Sequence, residues 1–273
     1  MNKTMNNDFS PVCLTIAGSD SGGNAGVQAD LRAFHAYGVH GCTVFAALTA
    51  QNPFEVSAIH AVPADFVRAQ LKVVLDVYAI RTLKTGMLAE ASVITAVAEE
   101  LAAHPEIKKV IDPVMIATSG AKLISDDAIV TLKTKLLPLA DLITPNLPEA
   151  KALAGIDAEP KELAELLSRQ FGSAVLVKGG HAVNTDAVDV LCVPRPEGGF
   201  KFEEFSAPWI AHPVSTHGTG CTLAAALAAE LALGRDLSTA VAGAKQHVYR
   251  AIVNSHLVGR NCGVLGFDSA HEF

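Results

Sequence analysis

The chain has 273 residues, half of them hydrophobic, and 28 acidic residues against 21 lysines and arginines give a formal net charge of −7. This acidic balance, with no basic stretch, argues against a protein that binds nucleic acid. The longest apolar stretch is broken by Glu230 and is shorter than the ~20 residues of a membrane span, and the first residues lack the pattern of a secretory signal. The five cysteines form no C-x-x-C pair, which favours a reducing compartment, so we expect a cytoplasmic protein without a membrane anchor.

Short β-branched runs alternate with longer amphipathic segments along the chain. Six runs predict strands, at residues 12–17, 42–48, 81–88, 109–115, 141–146 and 174–180. Their nearly continuous hydrophobicity indicates burial on both faces, as in a parallel sheet. Helical periodicity predicts helices at 64–78 and 90–104, a helix that starts near Cys221, and a last helix from about 237 to 258.

The alternation lapses at residues 186–210, which predict an antiparallel edge hairpin and its return. No linker interrupts the rest of the pattern. We therefore expect one doubly wound α/β domain over residues 12–258, with a mainly parallel central sheet, helices on both faces and a small edge hairpin. Residues 1–11 are expected to form a polar N-terminal tail, and residues 259–273 a loose C-terminal tail.

Polar residues and glycines follow the predicted strands, where ligands bind in open parallel sheets. These motifs read, in chain order, GSDSGGNAGVQAD, TAQN, TGML, DPVM, TPNLPEA and VKGGH, and THGTGC follows the hairpin. The first loop matches neither a P-loop nor a dinucleotide fingerprint, so its glycines alone leave a plain turn and a functional loop equally open. The glycines before Cys221 open a helix whose free N–H groups predict an anion-binding pocket.

Together and in this order, the motifs resemble those of the hydroxymethylpyrimidine/phosphomethylpyrimidine kinases of thiamine biosynthesis, which belong to the ribokinase superfamily. The resemblance extends from residue 12 to about residue 252. It implies a ribokinase-like fold and an enzyme that uses ATP and Mg²⁺. Such an enzyme phosphorylates the hydroxymethyl group of 4-amino-5-hydroxymethyl-2-methylpyrimidine and then converts that monophosphate to the diphosphate. The resemblance also implies a homodimer formed through the edge of the sheet on the substrate side.

Four residues are implied to bind the pyrimidine. Gly18 lets the ring approach the backbone closely. Asp30 lies in the first helix of the substrate pocket, and its alternative is an exposed helical carboxylate. The carboxamide of Gln51 both donates and accepts, so it suits an aminopyrimidine edge better than a role as an ordinary loop amide. Met87 is implied to wall the ring, although by itself it reads as ordinary core.

The resemblance assigns the phosphate side of the site to a second group. Asp112 and Glu149 are implied to hold Mg²⁺, which carboxylates and water typically bind. For Glu149 the alternative is compensation of a helix dipole, and both roles are compatible. Asn146 and Lys178 are implied to contact the nucleotide phosphates, and the alternative for Lys178 is a strand-end lysine that extends towards solvent.

The catalytic group is implied to lie at the start of the Cys221 helix. The amides of Gly218, Thr219 and Gly220 are expected to form the anion hole. Relatives on this fold usually have an aspartate base at the position of Cys221. A helix N-terminus lowers a cysteine pKa from ~8.5, so we expect Cys221 to accept the proton of the hydroxymethyl group. The alternative is that a small residue fits a tight turn.

Other readings remain open at this point. The nearest is a pyridoxine or pyridoxal kinase of the same fold, whose substrate is also a planar heterocycle with a hydroxymethyl group. A non-catalytic vitamin- or nucleotide-binding protein is disfavoured by Cys221 and the two acidic residues. Asn24 replaces a glycine that is common in the family, and Cys262 lies beyond the matched motifs. His181 and His217 are assigned to loop structure rather than catalysis.

Overall fold

The structure, a computed structural model, describes residues 10–115, 123–179 and 186–267. Within these residues, one nine-stranded sheet carries the fold, in the order β3-β2-β1-β4-β5-β6-β7-β8-β9. The strands are β1 Val12–Asp20, β2 His40–Asn52, β3 Glu55–Ala61, β4 Ile80–Thr85, β5 Lys108–Ile111, β6 Leu142–Ile143, β7 Ala174–Val177, β8 Ala187–Pro194 and β9 Phe200–Ala207.

The helices cover both faces of this sheet. They are α1 Gly26–Ala36, α2 Ala64–Leu75, α3 Ala91–Ala102, α4 Asp126–Thr131, α5 Leu147–Ala154, α6 Pro160–Phe171, α7 Thr219–Ala232 and α8 Leu237–Val253, with a π-helical turn at Leu132–Leu136 and a 3-10 turn at Leu137–Leu139 after α4. Apolar residues of α2 to α6 pack on one face of the sheet, and those of α1, α7 and α8 pack on the other.

Burial on both faces explains why the strands are apolar at nearly every position. In β1, Leu14 and Ile16 point into the core beneath α2 and α3, whereas Cys13 points into the core beneath α1 and α7. In β5, Ile111 points into the core beneath α2 and α3, and Val110 points into the core beneath α1 and α7. Successive side chains of a strand alternate between faces, so a strand covered on both sides needs an unbroken apolar run.

The predicted architecture is confirmed. Strands β2, β1, β4, β5, β6 and β7 run parallel to one another, and the β8–β9 hairpin, which pairs antiparallel with β7, forms an antiparallel edge. The opposite edge, β3, pairs antiparallel with β2 and was not predicted. Within the parts of the chain that the structure describes, no helix has the length and apolar character that crossing a membrane requires.

Several predicted elements are too long at their carboxyl ends. The strand in the run 109–115 ends at Ile111 and the strand in the run 141–146 ends at Ile143, beyond which Asn146 forms only an isolated bridge with Lys178. The last helix ends at Val253 rather than 258. Asp112 and Asn146, which follow these two strands, line a cavity. Sequence pattern extends these strands because the residues that turn towards the cavity are partly apolar as well.

The predicted domain boundary at residue 258 falls inside a second small sheet. The strands β10 His256–Gly259 and β11 Cys262–Val264 pair antiparallel, and Leu265 beyond them is buried. The chain therefore stays packed for several residues past the start of the predicted loose tail. Residues 1–9 of the predicted N-terminal tail and 268–273 of the predicted C-terminal tail lie outside the described residues, and the division into domain and tails remains a prediction.

The order of the strands sets the place of the ligand site. The chain runs from β1 through α1 to β2 on one side, and later enters β4 on the other side of β1. Helices α1 and α2, which follow β1 and β3, pack on opposite faces. Such a switch point opens a crevice at the carboxyl ends of the strands, where open α/β sheets bind ligands.

Candidate active site

A cavity of about 760 Å³ opens at the carboxyl ends of the parallel strands. Its walls come from the loop after β1, the ends of β2, β5, β6 and β7, the start of α7 and one side of α8. Every predicted site residue except Asp30 lines it, namely Gly18, Gln51, Met87, Asp112, Asn146, Glu149, Lys178, Gly218, Thr219, Gly220 and Cys221. Distant segments of the chain therefore meet where the motifs predicted a common site.

The substrate side of the cavity presents bare backbone beside a thioether. A Cβ atom added to Gly18 would lie 3.4 Å from Sδ of Met87 and 3.7 Å from the carbonyl oxygen of Ala47. Any side chain at position 18 would thus fill the space next to Met87. Gln51 lies on the same side, at the end of β2, with its carboxamide half-buried. This geometry fits a flat ring held between backbone and Met87.

Asp30 does not reach the cavity, which corrects its predicted contact with substrate. Its carboxylate is fully buried and pairs with Nζ of Lys84 at 2.9 and 3.0 Å, and it accepts a hydrogen bond of 2.5 Å from the hydroxyl of Thr15. Burial raises the pKa of Asp30, and Lys84 and Thr15 act against that rise. The ion pair joins α1 to β4 beneath the site. The contacts of Asp30 therefore support a structural role for this residue.

Asp20, which sequence reasoning did not select, organises the first glycine loop. Its carboxylate accepts hydrogen bonds from the amides of Gly22 and Ala25, both at 2.8 Å, and of Asn24 at 2.9 Å. Nε2 of His217 lies 3.3 Å from the same carboxylate. Burial alone would raise the pKa of Asp20, but the bonds from His217 and the three amides lower it overall. An aspartate followed by small residues and glycines is the available sequence signal, because such carboxylates bind nearby amides.

The glycine loop packs directly against the start of α7. A Cβ atom on Gly218 would lie 1.8 Å from the carbonyl oxygen of Asn24, and Gly218 has a φ of 88°. Only glycine meets both conditions. Asn24, which departs from the glycine common in the family, keeps its place in the loop through its backbone: the amide bonds Asp20, and the carbonyl faces Gly218.

The phosphate side brings the α7 N-terminus to a lysine–carboxylate pair. Nζ of Lys178 lies 2.8 Å from Oδ1 of Asp112, which also accepts a 3.1 Å hydrogen bond from Thr144. A Cβ atom on Gly220 would lie 3.5 Å from that Nζ and 4.0 Å from Oδ2 of Asp112. Burial would lower the pKa of Lys178, but the carboxylates of Asp112 and Glu149 raise it overall. A helix N-terminus beside a charged lysine suits a phosphate group.

Glu149 serves as a helix cap and lies close to Asp112. It forms a capping box with Asn146, in which each side chain bonds the other residue's amide at 2.8 and 2.9 Å, and its second oxygen accepts a 3.4 Å bond from the amide of Met115. Burial and repulsion from Asp112 raise the pKa of Glu149 to about 7, against the opposing effects of Lys178 and the two amides. Glu149 therefore caps the start of α5, and its side chain also lines the cavity.

The two carboxylates suit a divalent cation that also binds phosphate. Burial and repulsion between Asp112 and Glu149 keep the second one partly protonated near neutral pH, and a bound cation relieves that repulsion. Carboxylate oxygens are the ligands that Mg²⁺ prefers. In the described ranges, no group of three or more histidines, cysteines, aspartates or glutamates is arranged so that it could hold a metal ion by itself. A cation here would complete its coordination with water and substrate oxygens.

The structure contradicts the expected lowering of the Cys221 pKa. Cys221 lies in the first turn of α7 and lines the cavity, as predicted. Burial raises the pKa of its thiol above the ordinary value. Lys84 and the amide of Gly26 lower the pKa, but Asp30 and Asp112 raise it further. The helix N-terminus is the local feature visible in the sequence, whereas burial and two carboxylates from other segments determine the direction.

Several cavity residues carried no usable sequence signal. Nζ of Lys245 in α8 lies 2.8 Å from Oδ2 of Asp189 in β8, and Oδ1 of Asp189 accepts a 2.8 Å bond from the amide of Gly179. Both side chains line the cavity, as do Tyr249 and Trp209. In the sequence, the lysine reads as the polar face of an amphipathic helix and the aspartate as an ordinary hairpin residue. Trp209 is the single tryptophan of the chain and so reports on the cavity by fluorescence.

The cavity lies at the carboxyl ends of the strands of a doubly wound sheet. It combines a helix N-terminus and a lysine positioned for phosphate with two carboxylates and a flat pocket. This combination defines the class of small-molecule kinases with a ribokinase-like fold. The comparison with family models agrees. The model described as phosphomethylpyrimidine kinase matches residues 20–266, and the chain belongs to this family.

Individual relatives support this assignment. The hydroxymethylpyrimidine/phosphomethylpyrimidine kinase of Haemophilus influenzae is 43% identical over 258 residues, which cover 92% of this chain and 94% of that protein. The thiamine biosynthesis bifunctional protein ThiED of Geobacter sulfurreducens is 44% identical over 95% of this chain, which spans 52% of that longer protein. The crystal structure of an ADP complex of Bacillus subtilis pyridoxal kinase has a TM-score of 0.83 and 33% identity, covering 94% of this chain and 97% of that one. The predicted ribokinase-like fold is confirmed.

The pKa of Glu149 predicts how cation binding depends on pH. Because that pKa is about 7 in the metal-free protein, a cation has to displace a proton at lower pH. We expect the apparent affinity for Mg²⁺ in the presence of ADP to rise from about pH 6 to pH 8, approaching tenfold per unit at the acid end. The change in Trp209 fluorescence during a Mg²⁺ titration measures this affinity at each pH. The Glu149→Gln variant should bind Mg²⁺ more weakly than the parent at pH 8, and its affinity should not rise with pH. Equal dependence of the affinity on pH in both proteins would contradict the assignment of Glu149 to the cation.

Unfolding provides an independent check on Glu149. Its folded pKa of about 7 exceeds the ordinary value of 4.5, so the folded state holds more protons between these values. Stability therefore falls as the pH rises from about 4.5 to 7. The Glu149→Gln variant should lack this part of the decrease in the free energy of unfolding. Urea unfolding curves recorded without metal across this pH range measure it.

Proposed function

We propose that this chain is an ATP-dependent kinase that phosphorylates 4-amino-5-hydroxymethyl-2-methylpyrimidine and then converts the monophosphate to the diphosphate, as a step in making thiamine. The observation that carries the proposal is the meeting of the α7 N-terminus with Lys178 and Asp112 in the cavity that Gln51 and Met87 also line. The family match and the names of its relatives supply the substrate. The cavity supplies the separate places for a ring and a phosphate.

In this proposal the ring lies between Gly18 and Met87, and the Gln51 carboxamide pairs with its aminopyrimidine edge. The hydroxymethyl group then points towards the first turn of α7. Because these walls are backbone and a half-buried thioether, binding excludes water from the ring faces and restricts the alcohol to one direction. The chain thus contributes positioning, which is the main requirement of phosphoryl transfer.

The transferred phosphoryl group lies, in the same proposal, at the amides of Gly218, Thr219 and Gly220, with Lys178 beside it. These donors are fixed before substrate arrives, since Gly218 packs on the loop after β1. Asp112 and Glu149 would hold Mg²⁺, with Asn146 next to them on the nucleotide side. When bound, the cation supplies positive charge against the phosphate oxygens.

Cys221 is the proposed proton acceptor for the first phosphorylation. The alcohol oxygen forms the new bond to phosphorus, the bond from phosphorus to ADP breaks, and the hydroxyl proton passes to the sulfur. The raised pKa of Cys221 means that its thiolate is scarce in the empty site at neutral pH. Lys84 is the nearby cation that favours the thiolate. We therefore expect the first step to gain rate on the alkaline side of neutrality.

A pyridoxal kinase is the second candidate. The similar fold of the Bacillus subtilis pyridoxal kinase, at 33% identity, favours it, and the pyridine ring would then take the place proposed for the pyrimidine, between Gly18 and Met87. The curated relatives at 43–44% identity favour the pyrimidine. A cytoplasmic location is also part of the proposal, supported by five cysteines that are all free.

The first test of the function is product formation. Purified protein is incubated with ATP, Mg²⁺ and either the pyrimidine alcohol or pyridoxal, and products are separated by mass. We expect the pyrimidine mono- and diphosphate to form in sequence, with a kcat/KM above that for pyridoxal. A preference for pyridoxal would replace the first candidate by the second, and no product from either would favour a non-catalytic binding protein.

Replacement of Cys221 tests its role. The alcohol must lose a proton, whereas a phosphate monoester has a second pKa of ~6 and is already largely dianionic at pH 7. Cys221→Ala should therefore lower the first phosphorylation by ~10²–10⁴-fold and the second by much less. Each substrate is assayed separately, from neutral to alkaline pH.

The matched control for this variant is Cys262→Ala, which removes a thiol that does not line the cavity. It should retain both activities and the alkaline rise. Equal losses on the two substrates in Cys221→Ala would show that the residue shapes the anion hole without accepting a proton.

We also propose a homodimer through the β2–β3 edge of the sheet, which exposes Leu48 of β2, Phe54 of the turn and Ile59 of β3. Sedimentation should give twice the mass of the chain. Phe54→Glu should shift the protein towards the monomer, whereas Val253→Glu, which changes another exposed apolar residue at the end of α8, should not. A monomeric parent at micromolar concentration would contradict this interface.

A further inference from the structure

The carboxamide of Gln51 lies between two polar neighbours at the rim of the cavity. Its Oε1 is 3.1 Å from the hydroxyl oxygen of Thr49, and its Nε2 is 3.5 Å from Nε2 of His217. Thr49 and His217 are buried and both line the cavity. The orientation of this amide decides where the substrate side of the cavity offers a donor and where it offers an acceptor.

Counting hydrogens at Thr49 assigns one end of the amide. The hydroxyl of Thr49 has a single hydrogen, and it lies 2.8 Å from the carbonyl oxygen of Ser19, which only accepts. That hydrogen is therefore used, and Thr49 faces Gln51 as an acceptor. The amide atom next to Thr49 has to be the NH₂ group, so the oxygen and nitrogen of Gln51 exchange places, which alters the occupied volume very little.

The other end of the amide leads to the same assignment. Nε2 of His217 lies 3.3 Å from the carboxylate of Asp20, which only accepts, so this nitrogen carries a hydrogen. A donor nitrogen cannot accept from an amide NH₂ group as well. With the oxygen of Gln51 towards His217, the Nε2–H group faces two acceptors, Asp20 and Gln51, and no contact is repulsive. Both ends thus agree on one orientation.

Fold stability does not by itself explain the presence of His217. Its Nδ1 is buried and has no hydrogen-bond partner among the residues that the structure describes. A buried polar atom without a partner costs free energy, so such an atom in a native protein calls for an explanation. The polar contacts of its side chain are with Asp20 and Gln51, through Nε2.

We propose that the relay Ser19–Thr49–Gln51–His217–Asp20 holds the Gln51 amide in one orientation and thereby makes the cavity selective for the donor–acceptor order of an aminopyrimidine edge. This inference rests on the proposed function. After the relay has used one N–H and one lone pair, Gln51 offers the ring one acceptor and one donor. The exocyclic amino group donates to the first, and the ring nitrogen accepts from the second.

A 4-oxo analogue of the substrate reverses this edge. Its exocyclic oxygen accepts and its ring N–H donates, so acceptor would face acceptor and donor would face donor. A free glutamine side chain rotates by half a turn and accommodates either ring. A glutamine held at both ends does not, and turning the ring over instead would move the hydroxymethyl group away from α7. The relay residues are therefore positioning residues for specificity.

The test compares the amino and 4-oxo alcohols in the parent and in three variants. Thr49→Val removes the hydroxyl at one end, His217→Phe removes the donor at the other, and Thr49→Ser keeps the hydroxyl as the matched control. We expect the ratio of kcat/KM for the two alcohols to fall by about tenfold or more in Thr49→Val and His217→Phe, because Gln51 can then turn. Thr49→Ser should keep the parental ratio.

A purely structural role would lower both activities together and leave the ratio unchanged, which would overturn the relay. A comparable fall of the kcat/KM ratio in Thr49→Ser would overturn the relay as well. If the parent phosphorylates neither alcohol, the proposed function fails, and the relay is then judged by calorimetry with the two alcohols and ADP. Preferential binding of the amino ring that both Thr49→Val and His217→Phe abolish would support the relay, whereas equal binding of the two rings, or binding of neither, would overturn it.

Discussion

The capture of backbone amides by the Asp20 carboxylate is the interaction on which the site depends. It bends the loop after β1 so that the carbonyl of Asn24 meets Gly218, where α7 begins. The position of the α7 N-terminus, and with it the anion-binding amides, follows from that contact. The same carboxylate also holds His217, so one buried charge links the phosphate side of the cavity to the Gln51 side.

The charges of the cavity are balanced in two layers. In the deeper layer, Asp30 and Lys84 pair without access to solvent. In the upper layer, Lys178 pairs with Asp112, and Glu149 stays partly protonated because burial and Asp112 disfavour its charge. An isolated buried charge is costly, and these arrangements avoid one in the absence of ligands. The upper layer is the one that a cation and a phosphate group would rearrange.

Local pattern predicted most of the architecture, for a definite physical reason. Strands covered on both faces require unbroken apolar runs, so β1, β5 and β7 were visible in the sequence. The edge strand β3 was missed because it is mostly exposed, and the strand ends were overextended because residues that turn into the cavity resemble those that pair in the sheet.

The sequence by itself determined the doubly wound fold, the rim that holds the motifs and, through its resemblance to a family, the residues that line the cavity. These properties depend on neighbours along the chain and on the rule that parallel strands present their carboxyl ends together. Only the tertiary structure decided that Asp30 faces Lys84 instead of substrate, that burial raises the Cys221 pKa, and that His217 contacts Gln51. Each of those outcomes depends on desolvation and on partners from remote segments, and neither is encoded in a short stretch of sequence.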